Sequence, residues 1–427
     1  MLWPDSGILG SMACMSSTVH TFGLVLVEHE FQIPLDHAQP DGDRITVFAR
    51  EVADPDGRDR PFLVFLAGGP GFESPRPTRN PTSPAWLNRA LRDYRVLFLD
   101  QRGTGRSTPV GTLPGRTPQQ QADYLSHFRA DSIVADLEWI RRELDVDRWA
   151  VLGQSFGGFC ALHYLSVAPQ SLSATFMTGG LPPIGLHPDE IYRATYTRML
   201  ERNRRYYQRY PDDRDRMRAA CERLEQEKII LPDGDRLTAR RLRLAGNVLG
   251  STDGMEHLHY LLELPLDSPA FGAGVLHNIM SFPRNPIYWI LHESSYSDGF
   301  ATNWSAQRVM PEEYASDPTL FTGEHVFSWM GEDFGALTPL REAAELLAAR
   351  QWPTLYDADV LRRNEVPAAA SVYYDDLYVE STFSMRTAAT VRGLRPWITN
   401  EYEHGGLRMS GERVLDRLFD LAANRVY

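Results

Sequence analysis

Arg148-Trp149-Ala150-Val151-Leu152-Gly153-Gln154-Ser155-Phe156-Gly157-Gly158-Phe159-Cys160-Ala161-Leu162-His163-Tyr164-Leu165 is the stretch from which the fold is read. Its first part has the composition of a short buried strand, and its last part reads as a helix. Between them stands G-x-S-x-G. Strand, G-x-S-x-G and helix in that order make a nucleophile elbow, a turn so tight that the positions two before and two after the serine have no room for a Cβ. Such a turn lifts the Ser155 hydroxyl above the sheet edge and aims the Phe156 backbone N–H at the place where an oxyanion would form.

Working outward, Pro61-Phe62-Leu63-Val64-Phe65-Leu66 and Arg95-Val96-Leu97-Phe98-Leu99 are unbroken apolar runs, as expected of strands buried on both faces. The first ends in Ala67-Gly68-Gly69-Pro70-Gly71, the second in Asp100-Gln101-Arg102-Gly103-Thr104-Gly105-Arg106-Ser107. Residues 131–144 place Ile133, Val134, Leu137, Ile140 and Leu144 at helical spacing. Ala174-Thr175-Phe176-Met177-Thr178 follows as the next strand. Alternating strands and helices predict a mostly parallel sheet covered on both faces. Two β-rich runs before it, around Val25-Leu26-Val27 and Ile45-Thr46-Val47-Phe48-Ala49, fit antiparallel strands leading into that sheet.

Past residue 181 the character changes. Residues 182–364 are rich in Arg, Glu, Tyr and Trp, carry helical stretches at 191–207 and 340–349, and show few strand signals. They are expected to form an inserted, mainly helical cap. Sheet patterning returns with Ala368-Ala369-Ala370-Ser371-Val372-Tyr373-Tyr374 and Pro396-Trp397-Ile398-Thr399, and residues 411–424 supply a closing helix. The domain expectation is an extension at 1–17, a core from 18–181 with 365–427, and a cap at 182–364. The extension lacks the basic n-region and apolar h-region of a signal peptide.

Composition removes several classes of function. A formal charge of −12 over 427 residues argues against nucleic-acid binding, which needs a basic footprint. No run approaches the 18 or so apolar residues of a membrane span. Three cysteines (Cys14, Cys160, Cys221) form no spaced framework, so a reducing, cytoplasmic setting is expected. Neither CxxC nor HExxH occurs, and no metal or other cofactor is expected.

A serine hydroxyl needs a base to take its proton during attack, and histidine suits that work near neutral pH. In sheets of this kind catalytic groups gather at the carboxyl ends of the strands, in chain order Ser, then Asp or Glu, then His. His404, framed by Glu403 and Gly405-Gly406 after the Trp397-Ile398 strand, fits the base. Tyr373-Tyr374-Asp375-Asp376 offers two acids, of which Asp376 is the choice, with Asp375 left to cap the next helix. An oxyanion hole needs a second N–H donor beside Phe156, and Gly69 is the natural one.

Taken together, Ala67-Gly68-Gly69-Pro70-Gly71, Asp100-Gln101-Arg102-Gly103-Thr104-Gly105-Arg106-Ser107, Gly153-Gln154-Ser155-Phe156-Gly157-Gly158 and Glu403-His404-Gly405-Gly406 resemble the proline iminopeptidase (prolyl aminopeptidase) family, in its larger branch. Ala67 stands where many relatives have His, a departure expected to alter packing more than chemistry. The resemblance implies an α/β-hydrolase fold, with a helical cap, acting as a serine exopeptidase on small peptides with a free N-terminal proline. Such an enzyme must hold a cationic imino group, which calls for a cap carboxylate. Leu291-His292-Glu293-Ser294-Ser295-Tyr296 resembles the family's amine-binding segment, making Glu293 the first candidate and Glu324 the second. Trp289, Trp304, Phe321 and Trp329 are candidates to line a slot for the pyrrolidine ring. The alternative reading keeps the triad and changes the substrate to an uncharged ester, lactone or amide; a non-catalytic receptor is the third. Oligomeric state is not legible.

Overall fold

The computed structural model describes residues 15–279 and 282–426. The two apolar runs flanking the glycine-rich turns form the centre of a nine-stranded sheet. Its strands in chain order are β1 (Met15–Thr21), β2 (Leu24–Pro34), β3 (Arg44–Ala53), β4 (Phe62–Leu66), β5 (Arg95–Leu99), β6 (Trp149–Gln154), β7 (Leu172–Thr178), β8 (Ala368–Tyr373) and β9 (Leu394–Thr399). Across the sheet they lie in the order β1-β2-β3-β5-β4-β6-β7-β8-β9. The first three strands and the β3–β5 pair are antiparallel, and every pair from β5 to β9 is parallel. All five residues of β4 and all six of β8 are buried, as sheet faces covered on both sides require.

One face is covered by α1 (Ala130–Glu143) and α2 (Phe156–Val167), whose Ile133, Val134, Leu137, Phe159 and Leu162 join the main core cluster. On the other face α5 (Arg413–Ala422) packs Val414, Leu415 and Leu418 against Phe65, Ala150 and Phe176. Between β7 and β8 the chain leaves the sheet and builds the helical cap, which includes its longest helix, α3 (Pro188–Arg209), and α4 (Pro286–Ser295). Every residue of α4 is buried, so it is an interior element of the cap rather than a lid over solvent.

The beginning of the chain differs from expectation. Residues 1–14, most of the stretch read as an extension, lie outside the described residues. Met15 to Ser17 already belong to β1, which pairs along its whole length with β2. Its sequence, MSSTVHT, is polar because an edge strand keeps both faces largely wet, and its described residues are all exposed. Among the described residues no helix is long and apolar enough to cross a membrane.

Candidate active site

Ser155 sits between β6 and α2 with φ 54° and ψ −124°, a conformation that non-glycine residues adopt at a cost and that the surroundings must hold. Those surroundings explain the glycines. A Cβ on Gly153 would lie 2.2 Å from the Gly157 carbonyl oxygen, and one on Gly157 would lie 2.0 Å from the Leu66 carbonyl oxygen at the end of β4. The Ser155 N–H donates to Thr178 O at 3.0 Å, tying the turn to the end of β7. The Gly158 N–H turns back to Ser155 O at 2.7 Å, so the opening of α2 faces the serine.

The last two parallel strands deliver the other two groups. Asp376 follows β8 and is 1% exposed. Its Oδ2 lies 2.8 Å from His404 Nδ1, and its Oδ1 accepts the backbone N–H groups of Tyr378 (2.9 Å) and Val379 (3.1 Å). With Nδ1 committed to the carboxylate, Nε2 is the ring nitrogen available for proton transfer. Gly179 and Gly180 at the end of β7 pack closely against both residues: a Cβ on Gly179 would lie 3.1 Å from His404 Nδ1, and one on Gly180 would lie 2.5 Å from the Ser155 backbone O. Burial alone would lower the His404 pKa. The charge and hydrogen bond of Asp376, with the Glu324 charge behind them, outweigh it and hold the imidazole above its ordinary value.

Asp375 does not cap the next helix, contrary to expectation. It points outward to Arg205 at 3.4 Å, and Glu380 accepts the N–H groups of Thr382 and Phe383 in its place. Gly69 has φ 129°, open to glycine only, and the turn carrying it packs on the serine: a Cβ on Gly68 would lie 3.0 Å from Ser155 Cβ. The departure at Ala67 is absorbed locally. Its carbonyl accepts the Gln101 side-chain N–H at 3.0 Å, and its methyl joins the core beside Phe65 and Trp86. Asn285, at the head of α4, donates to Pro70 O at 3.1 Å and so fastens the same turn to the cap.

The two cap glutamates differ in their partners. Glu293, the first candidate, is 4% exposed and spent on the backbone: it accepts Ser305 N–H at 2.9 Å and Ala306 N–H at 2.8 Å. Burial pushes its carboxyl above the ordinary range despite those bonds. Glu324 accepts the Tyr288 hydroxyl at 2.6 Å and lies 3.5 Å from His292 Nε2. Burial would raise its carboxyl too, but the His292 contact, the charges of His292 and His404 and the Tyr288 bond hold it below the usual range. Its side chain is 16% exposed, and the His404 charge is among those that favour its ionised form.

The expected aromatics take structural posts. The Trp289 indole donates to Phe327 O and stacks on Trp304, which donates to Glu345; Phe321 packs on Tyr206 and Tyr207, and Trp329 on Phe327. The ring beside His404 is Tyr378, edge-on at 4.8 Å. Tyr296 donates to Tyr378 O at 3.0 Å and meets Phe159 at 5.1 Å. Sequence reading missed Tyr378 and Tyr288; the position of Tyr378, two residues after the acid, was the available signal. Cys160 is wholly buried on α2, where burial pushes its thiol pKa up, so it packs as a small apolar residue. The surface hollow of about 540 Å³ lined by Arg148, Gln170, Asn364 and Val366 opens at the amino ends of the strands, away from Ser155.

A family profile described as the alpha/beta hydrolase fold matches residues 61–230. Over 424 residues the chain is 46% identical to a proline iminopeptidase of Aeromonas sobria, spanning 95% of this chain and 99% of the relative. Over 436 residues it is 34% identical to the proline iminopeptidase aneH of Aspergillus aculeatus, spanning 93% and 94%. Similarity to a proline iminopeptidase of Xanthomonas citri, 37% over 122 residues, covers 29% of this chain and 32% of that one. Near-complete coverage of both chains at that identity, on a sheet that carries the elbow and two loops just described, means that the chain belongs to the proline iminopeptidase family of α/β hydrolases.

Proposed function

We propose that the chain is a serine exopeptidase that releases proline from the N-terminus of small peptides. Ser155 Oγ attacks the prolyl carbonyl carbon while His404 Nε2 takes its proton; Asp376 keeps the imidazole in the Nδ1–H tautomer and stabilises the imidazolium. The N–H groups of Phe156 and Gly69 hold the oxyanion. Collapse of the tetrahedral intermediate breaks the C–N bond, and His404 returns the proton to the leaving amine. Water, deprotonated by the same histidine, then attacks the prolyl-serine ester, and proline and the regenerated hydroxyl result.

The observation that carries the substrate assignment is Glu324. A carboxylate largely withdrawn from water, as Glu324 is with its side chain 16% exposed, is costly to ionise unless paired. This one has hydrogen-bonding neighbours and the triad histidine nearby, and a bound imino cation would complete its pairing. The relatives' names and this carboxylate together favour a free-amine substrate over a neutral ester. Within this proposal residues 182–364 act as a cap domain that supplies the amine site to a core at 18–181 and 365–427. The enzyme is placed in a reducing, cytoplasmic setting, in keeping with Cys160 and Cys221 being free and buried.

Proline β-naphthylamide hydrolysis tests the reading. Wild-type protein is expected to cleave it and to spare the N-acetylated analogue, and Ser155→Ala is expected to lose roughly a million-fold in turnover, as other triad nucleophiles do. Equal hydrolysis of blocked and free substrates, or full activity of the alanine variant, would overturn it.

A further inference from the structure

The long cap helix α3 turns one row of arginines toward the loops that carry the catalytic acid and base. Arg198, Arg202 and Arg205 are spaced four and three residues apart, which puts them on one helical face. Arg198 reaches Glu380 Oε1 at 2.6 Å, and Glu380 caps the helix that follows the Asp376 loop. Arg205 reaches Asp375 Oδ1 at 3.4 Å. Between them, Arg202 Nη2 donates to Glu403 Oε2 at 2.8 Å and to the Asp375 carbonyl at 3.4 Å. Glu403 and Asp375 are the residues immediately before His404 and Asp376.

We propose that Arg202 is a positioning residue for the reaction: by binding the residue in front of each loop-borne triad member, its guanidinium sets the spacing of the His404 and Asp376 loops and makes the triad's register depend on the cap helix. Two features separate this contact from an ordinary surface ion pair. Arg202 is 7% exposed, so its attraction to Glu403 is little screened by water or salt. Burial raises the Glu403 carboxyl, opposed chiefly by the Arg202 charge and hydrogen bond, so the guanidinium favours the charged form that binds it. The outer two arginines are more exposed, their pairs are open to screening, and they guide the docking rather than fix it. A displacement of about 1 Å at a catalytic group costs on the order of 100-fold in rate, so a guanidinium that touches neither substrate nor reacting atoms can still govern turnover.

The inference rests on Ser155, Asp376 and His404 acting as the triad, and that reading is tested separately, by fluorophosphonate labelling of wild-type Ser155. Given labelling, Arg202→Met is expected to lower both kcat on proline β-naphthylamide and the labelling rate by about 100-fold, with KM changed by less than about threefold because no substrate contact is lost. Arg202→Lys, which keeps the charge and the reach, is expected to recover most of the labelling rate. A purely structural arginine would lower the melting temperature and leave the labelling rate of the folded protein unchanged, and that result would overturn the proposal. Glu403→Gln keeps the side-chain shape and removes the charge that Arg202 binds, so it provides the test if Arg202→Met does not fold. It is expected to slow labelling about tenfold, and in the double variant the two losses should not add. Wild-type labelling by Glu403→Gln, or strictly additive losses, would also overturn it.

Discussion

Glu293 and Glu324 carry the same functional group on neighbouring parts of the cap, and only their hydrogen bonds tell them apart. Glu293 Oε1 and Oε2 each receive a backbone N–H, from Ala306 and Ser305, so the carboxylate fixes the chain behind Trp304. Removing it strands two buried donors. Glu293→Ala is expected to cost about 2 kcal/mol of stability, read as a lower midpoint in urea, with KM for proline β-naphthylamide unmoved. Glu324→Gln should do the reverse: KM for free-amine substrates rises on the order of tenfold or more, stability changes little, and hydrolysis of a small neutral ester is spared. Unchanged KM in Glu324→Gln would remove it from the amine site. α4, the helix that carries Glu293, also supplies Tyr288 and His292 to Glu324. The sequence could not reveal which way a carboxylate faces, because that depends on where α4 packs and not on its own residues. The choice between Asp375 and Asp376 was legible for the opposite reason: adjacent residues after a strand diverge, so one faces His404 and the other Arg205.

At the scale of elements, the strand–turn–helix unit was legible because its constraints are local. β4 is apolar throughout and β6 is apolar from Trp149 to Leu152, and the G-x-S-x-G glycines mark where backbone must touch backbone. Gly157→Ala makes the point testable. Its methyl would meet the Leu66 carbonyl at 2.0 Å, and both groups belong to buried backbone that cannot swing aside as a flexible side chain would. It is expected to destabilise the protein by about 3 kcal/mol and to abolish Ser155 labelling in whatever folds. Gly111, whose added Cβ would have nothing within 4 Å, is the control, and Gly111→Ala is expected to leave both readouts unchanged. β1 was not legible because its strand character comes from pairing with β2; an exposed edge strand carries no apolar signal of its own. The cap's short helices were foreseen only as a helical region. Many of them, such as Ser305–Arg308 and Met330–Asp333, are single turns held by tertiary contacts and lie below the length at which periodicity is readable.

Across the whole molecule, the proposed chemistry depends on charges brought together from separate parts of the chain. His404 comes from the loop after β9, Asp376 from the loop after β8, and Glu324 from the cap. Both carboxylates favour the protonated imidazole, and together they overcome a burial that acts the other way. A general base works only when neutral, so with His404 in the proposed role activity is expected to rise as pH climbs through its pKa, with the acid limb above that of an ordinary histidine. The limb is best read from the pH dependence of fluorophosphonate labelling, which involves no titrating amine in the reagent. Glu324→Gln takes away one of the two negative charges while leaving the Asp376 hydrogen bond, so the limb should move to lower pH and the plateau should survive. Asp376→Asn should move the limb further down and lower the plateau by about 10⁴-fold, because the imidazole loses the partner that fixes its tautomer. A limb that stays in place in Glu324→Gln would mean that the cap carboxylate and the core histidine do not share a field. The cap would then bind the substrate without tuning the base beneath it.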